Sequence, residues 1–193
     1  SYGQNPLLMF KENIVMNGTI LLDKKGMTGN GIIEFKEASL NSKEYVFTDE
    51  DILSENSSFS LRNRFSQYGE NPLAIQSDEM KTNISFKTRI GEFNSNGTKR
   101  IMFPANHYYC QMDKFTWFMD GENLEFQKNK GGETSFESGA DLARNNFFST
   151  DEKQDTLQFK SLSAKYDLKT QLILCNAVDY IQVGDARIYP DSS

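Results

Sequence analysis

One histidine, two cysteines and 27 acidic residues are the groups in this 193-residue chain whose types could do chemistry. His107 is the lone imidazole, so any Ser–His–Asp or Cys–His arrangement would have to pass through it. It follows Pro104-Ala105-Asn106 at the start of strand-like sequence. Cys110 and Cys175 each sit in apolar, strand-like sequence. Nothing beside them would lower a thiol pKa as a nucleophile requires. Their default role is that of small buried hydrophobes, and the sequence leaves open whether they pair in a disulfide. A single histidine excludes a multi-histidine metal site, and two distant cysteines make no zinc knuckle.

The acids are no more specific. Asp49, Glu50, Asp51 and Glu55 form a crude set of oxygen ligands, but a calcium loop needs more regular spacing and a glycine at its turn. A solvated loop explains them. Asp120-Gly121-Glu122-Asn123 reads as a hairpin turn. Asp113 and Asp120 flank the most aromatic segment and are the best carboxylate pair available for glycoside chemistry. Neither is embedded in aromatic strand sequence, as a raised pKa would require. Four Asn-x-Ser/Thr sites, at Asn17, Asn56, Asn83 and Asn96, matter only in a eukaryotic secretory chain. We therefore expect a non-enzymatic protein with no catalytic, cofactor or metal-binding residues.

The remaining candidate is a surface. In the segment 108–119, Tyr108, Cys110 and Met112 alternate on one face. After Asp113-Lys114 the alternation resumes in the other register, as Phe115, Trp117 and Met119. Both faces hold an aromatic, so at least one is expected at a surface. Tyr108, Tyr109, Phe115, Trp117 and Phe118 are the candidate platform for a glycan, lipid or protein partner.

The elements that position these residues read as strands. Apolar residues make up 37% of the chain, and 15 Phe with 8 Tyr supply much of the core area. The net charge is −6 with cations and anions interspersed. That argues against nucleic acid and against a polybasic lipid-docking patch. No apolar run approaches the roughly 20 residues of a membrane-spanning helix. Period-2 alternation recurs with turn signals, and no stretch of ten holds a 3.6 period. Ten to fourteen short strands are expected, with little or no helix; the weak exception is 138–144. Asn17-Gly18 and Asn96-Gly97 read as tight turns, the second as the clearest hairpin. Segments 41–58, 66–79 and 128–156 read as long loops.

A short Ala-x-apolar unit recurs, as Ala38-Ser39-Leu40, Ala164-Lys165-Tyr166 and Ala186-Arg187-Ile188. The odd steps from Phe35 to Ala38 and from Val183 to Ala186 require a change of inward face, which a β-bulge would supply. The last two units belong to a longer pattern, A-x-Y-D-x-x-x-x-L followed by I-x-V-x-D-A-x-I-x-P-D. It is carried by Ala164, Tyr166, Asp167, Leu172, Ile181, Val183, Asp185, Ala186, Ile188, Pro190 and Asp191.

This pattern resembles the repeats of large, uncharacterised Gram-negative cell-envelope proteins. More distantly it is similar to the periplasmic lipopolysaccharide-transport family, with its organic-solvent-tolerance repeat. In that family strand–turn–strand units stack into an open, V-shaped β-jelly roll whose apolar groove carries acyl chains. The close match covers about 35 residues, with echoes at 32–42 and 108–126. The resemblance implies a periplasmic or surface-exposed envelope protein, acting as a scaffold or as a conduit for an amphipathic lipid such as lipopolysaccharide. A carbohydrate- or protein-binding surface module is the alternative.

The expected fold is all-β: stacked antiparallel hairpins forming an elongated sandwich or a β-solenoid-like open jelly roll, as one domain over 1–193. The chain begins at Ser1 and stops just after strand-like sequence, so we expect a piece of a longer repetitive protein whose targeting signal lies elsewhere. Its expected partners are other envelope proteins or neighbouring repeats, with end-to-end association through unpaired edges.

Overall fold

Alternation of apolar and polar side chains, with turns every few residues, leaves the chain one economical solution, an antiparallel meander. The computed structural model describes residues 7–9, 12–65, 73–97, 99–128 and 145–190. The strands are β1 (Leu7–Met9), β2 (Glu12–Asp23), β3 (Gly26–Phe35), β4 (Ala38–Phe47), β5 (Asp51–Arg62) and β6 (Leu73–Ser85). There follow β7 (Ile90–Ser95), β8 (Ile101–Phe103), β9 (Tyr108–Cys110), β10 (Lys114–Phe118), β11 (Asn123–Gln127) and β12 (Phe147–Ser149). The last are β13 (Gln158–Phe159), β14 (Ser163–Asp167), β15 (Leu172–Asn176), β16 (Ile181–Val183) and β17 (Ala186–Ile188). These 17 strands form one antiparallel sheet that does not close into a barrel. Apart from two 3-10 turns, no helix occurs among the described residues. The 138–144 segment lies outside them.

The sheet branches at β6. Its C-terminal half pairs with β7, and its N-terminal half pairs with β8. From there one branch runs β7–β10–β11–β14–β15. The other runs β8–β9–β12–β13–β16–β17. The long strands β3 to β6 contribute one half to each branch. Their ladders break along one line, between Gly29 and Gly31, between Ser54 and Ser57, and around residues 43–45 of β4. Beyond β6 the chain itself breaks on that line, between β7 and β8, β9 and β10, β13 and β14, and β15 and β16. The fold is thus a meander of long strands creased once, giving two layers joined at a spine.

The crease is lined with small polar side chains that bond the backbone where ladders part. Ser42 Oγ lies 2.8 Å from Ser54 Oγ and 2.8 Å from the Asn56 carbonyl. Ser57 Oγ lies 2.6 Å from Thr82 Oγ1. Asn146 donates to the Ser161 carbonyl and accepts from the Ser161 N–H, at 2.7 and 2.8 Å. All of these side chains except that of Asn56 are buried.

Between the layers lies an aromatic core. Phe59 meets Phe93, Phe115 and Trp117 from the opposite layer at centroid distances of 4.3, 5.8 and 5.7 Å. Phe103 meets Phe126 and Tyr166 edge-on at 5.2 and 5.7 Å. Each such ring, taken from full exposure to full burial, stabilises the fold by about 1.5–3 kcal/mol. These contacts bind the two layers to each other through the interior.

Several local expectations change. Asn17-Gly18 is no turn: it lies mid-strand in β2, with Gly18 opposite Gly31. A Cβ on Gly18 would stand 1.8 Å from the Asn30 carbonyl oxygen, so glycine serves close backbone approach at the crease. Asn96-Gly97 is no hairpin either. It carries the chain across the crease, and β7 and β8 both pair with β6. The segments 41–58 and 73–79 are mostly strand: in the first Ser42, Ser54 and Ser57 are buried at the crease, and in the second Ala74 and Ile75 are buried in the core. Residues 66–72 and 129–144 lie outside the described set, while Phe147–Ser149 is strand. The steps at Phe35/Ala38 and Val183/Ala186 are two-residue hairpins rather than bulges, with positive φ at Lys36 and Gly184.

Candidate functional site at the open side of the wedge

The side of the wedge opposite the crease is built from hairpin tips. In one layer the tips repeat a four-residue form. Phe86, Met119 and Leu168 each open a turn and bury their side chains, as Phe47 does at the end of β4. Three turns then place Arg89, Glu122 and Gln171 at positive φ in the fourth position. Each tip docks on the one before: the N–H groups of Phe86, Met119 and Leu168 donate to the carbonyls of Glu50, Arg89 and Glu122, at 2.9–3.1 Å. The carbonyl of Gln171, last in the series, accepts from Asn106 Nδ2 of the other layer at 2.7 Å.

Charged residues at these tips face one another across the opening. Lys36, at the β3–β4 tip, is 3.6 Å from Asp120 at the β10–β11 tip. Arg64, just after β5, pairs with Glu122. Each acid also has a cation within its own layer. Arg89 makes a forked contact with Asp120, its Nε and Nη2 both donating at 3.2 Å. Lys169 lies 2.9 Å from Glu122. The Arg89 guanidinium, then Lys36, hold the Asp120 carboxyl below the usual carboxylate range. Beneath these pairs is a cavity of about 180 Å³ floored by Leu61, Phe65, Trp117, Met119 and Leu168.

The sequence candidates fall elsewhere or into the core. Phe115 and Trp117 are 1% and 2% exposed, so they cannot form a binding platform. Tyr108 packs against the core and donates to Gln154 Oε1 at 2.7 Å. Tyr109 and Phe118 do point outward, half-buried. The Tyr109 ring is already engaged within the chain, stacked on Phe148 at 4.9 Å with the Arg100 guanidinium 4.6 Å from its centroid.

His107 is exposed and left-handed at the end of the 3-10 turn Pro104–Asn106. Cys110 is fully buried, Cys175 is half-buried, and both are free thiols. Burial pushes both upward, Cys175 to about 12, the opposite of what a nucleophile needs. Asp113 sits at the crease, paired with Lys128 at 2.7 Å, whereas Asp120 sits at the open side. The two carboxylates occupy opposite ends of β10 and do not face each other across a cleft.

Asp49 and Asp51 occupy the β4–β5 tip, where Thr48 Oγ1 accepts from the N–H groups of Glu50 and Asp51. Glu55 is at the crease, ion-paired with Lys81. No group of three or more His, Cys, Asp or Glu able to hold a metal occurs among the described residues. The Asp120-Gly121-Glu122-Asn123 hairpin forms as expected. What sequence reading missed is its role in facing Lys36 and Arg64, because no local pattern pairs distant tips.

No helix among the described residues is long and apolar enough to cross a membrane. No protein-family model, curated protein or solved structure matches this chain.

Proposed function

We propose that this chain is a non-enzymatic scaffold module of the cell envelope, extended at its ends by strand addition from neighbouring copies or repeats. The observation that carries this reading is the pair of one-sided edges at opposite ends of the sheet. Among the described residues, residues 19–23 of β2 pair only with β3, and β15 pairs only with β14. Both edges expose apolar side chains: Ile20, Leu21 and Leu22 on β2, at 42, 61 and 79%, and Leu172 and Leu174 on β15, at 59 and 61%. Unpaired N–H and C=O groups beside exposed apolar residues form a template for another strand. Residues 19–23 of β2 and 172–176 of β15 belong to the same layer, so a second copy would continue that layer.

The envelope placement rests on the resemblance of residues 164–191 to envelope repeats. The lipid-conduit form of that resemblance has less support, since aromatic side chains fill the space between the layers and the cavity at the open side is small.

Sedimentation of the full chain over a concentration series tests the reading. The native chain should form an open series of oligomers. Leu22→Asp and Leu174→Asp, both at exposed positions, should each shorten it. A mixture of the two variants should stop at pairs, because each partner retains one working edge. A native chain that stays monomeric at every concentration would overturn the proposal.

A further inference from the structure

We propose that the open side of the wedge is an ionic latch, in which two acids of one layer hold two cations of the other, and that screening these charges parts the layers over Trp117. The acids are Asp120 and Glu122, neighbours on the β10–β11 tip. Their partners across the opening are Lys36 and Arg64. The two ties stand side by side above a cavity lined in part by Trp117.

Three features make this a latch rather than ordinary surface pairing. First, the two layers meet here through side chains, while on the opposite side the crease joins them through continuous backbone. Opening therefore has a built-in axis. The crease carries glycines at Gly29 and Gly31 and interrupted ladders at residues 43–45 and 55–56, so few backbone hydrogen bonds resist rotation about it.

Second, Arg64 is held in place before it reaches across. Arg64 lies over the Phe65 ring at 4.9 Å and within 3.8 Å of Glu37. On the other side Arg89 and Lys169 hold Asp120 and Glu122 within their own layer. When a tie across the opening breaks, each acid keeps a partner in its own layer. Third, one end of each tie reaches solvent ions: Asp120 and Arg64 are 64% and 49% exposed, against 27% and 16% for their partners Lys36 and Glu122. Exposed pairs are individually weak and are screened by salt, with a Debye length of about 3 Å at 1 M.

Trp117 is the chain's single tryptophan, so its fluorescence reports this place alone. Acrylamide is uncharged, and its quenching constant can be followed through a sodium chloride series without screening the quencher. In low salt the native chain should be poorly quenched, because Trp117 is 2% exposed. Raising the salt to about 1 M should increase the constant about threefold or more, with the far-UV circular dichroism unchanged. The Asp120→Asn/Glu122→Gln double variant should be strongly quenched already in low salt and respond little to added salt.

A native chain whose quenching is flat across the salt series overturns the proposal, whatever the variants do. So does a folded double variant that keeps both the native protection and the native salt response.

Discussion

Gly91 and Trp117 are cross-strand partners, and a Cβ placed on Gly91 would stand 3.4 Å from the Trp117 ring and 3.0 Å from the Phe93 ring. The glycine is what lets two aromatics pack down onto the sheet between β7 and β10. Gly91→Val should therefore overpack the core and lower stability by about 1–3 kcal/mol, read as a lower urea midpoint at unchanged slope. Gly31→Ala should do at least as much for a different reason. Its φ is +120°, and the new Cβ would meet the Asn17 carbonyl oxygen at 2.2 Å, where backbone has to move. If both variants unfold at the native midpoint, the crease and the core are looser than this packing implies.

The hydroxyl pair at the crease makes a second prediction. Ser57 and Thr82 are each 2% exposed, with their oxygens 2.6 Å apart. Removing either alone leaves the other hydroxyl buried with a weakened set of partners, at a cost of about 1–3 kcal/mol. The Ser57→Ala/Thr82→Val double variant should cost clearly less than the two single variants added together. Strict additivity in a denaturation cycle would mean that the two hydroxyls do not depend on each other.

Alkaline pH should weaken the fold. Burial raises Cys175 from an ordinary 9.0 to about 12 and Tyr166 from 10.0 to about 12, and it raises Tyr45 as well. A group whose folded pKa is raised contributes stability that is complete below its unfolded pKa and is lost as pH climbs toward the folded value. The urea midpoint should thus be flat up to about pH 8 and fall steadily between about pH 9 and 12. Over the same range a thiol reagent should label Cys110 and Cys175 slowly in the native chain and both rapidly in denaturant. A midpoint as high at about pH 11 as at about pH 7.5, or rapid native labelling of Cys110, would contradict the burial described.

Period-2 alternation was enough to predict strands around Phe115 and Trp117, and an Asp-Gly turn was enough to predict the β10–β11 hairpin. Those signals are local, set by the pleat and by backbone conformations that few residues adopt. The same local rules misread Asn17-Gly18 and Asn96-Gly97. A glycine that permits a turn also permits two backbones to touch, and only the partner strand decides which use applies. Polar residues at 41–58 read as loop because the sequence does not reveal a buried crease in which Ser42, Ser54 and Ser57 satisfy parted ladders.

The sequence by itself determined that this protein is all-β and that its core is rich in aromatic residues. Only the tertiary structure decided that its strands crease once into two layers, that Trp117 lies inside rather than on a binding face, and that Lys36 and Arg64 meet Asp120 and Glu122. The physical reason is that alternation specifies which side chains share a face of a strand. Which strands share a layer, and which tips face each other, depends on where a long meander bends, and that is settled by packing across the whole sheet.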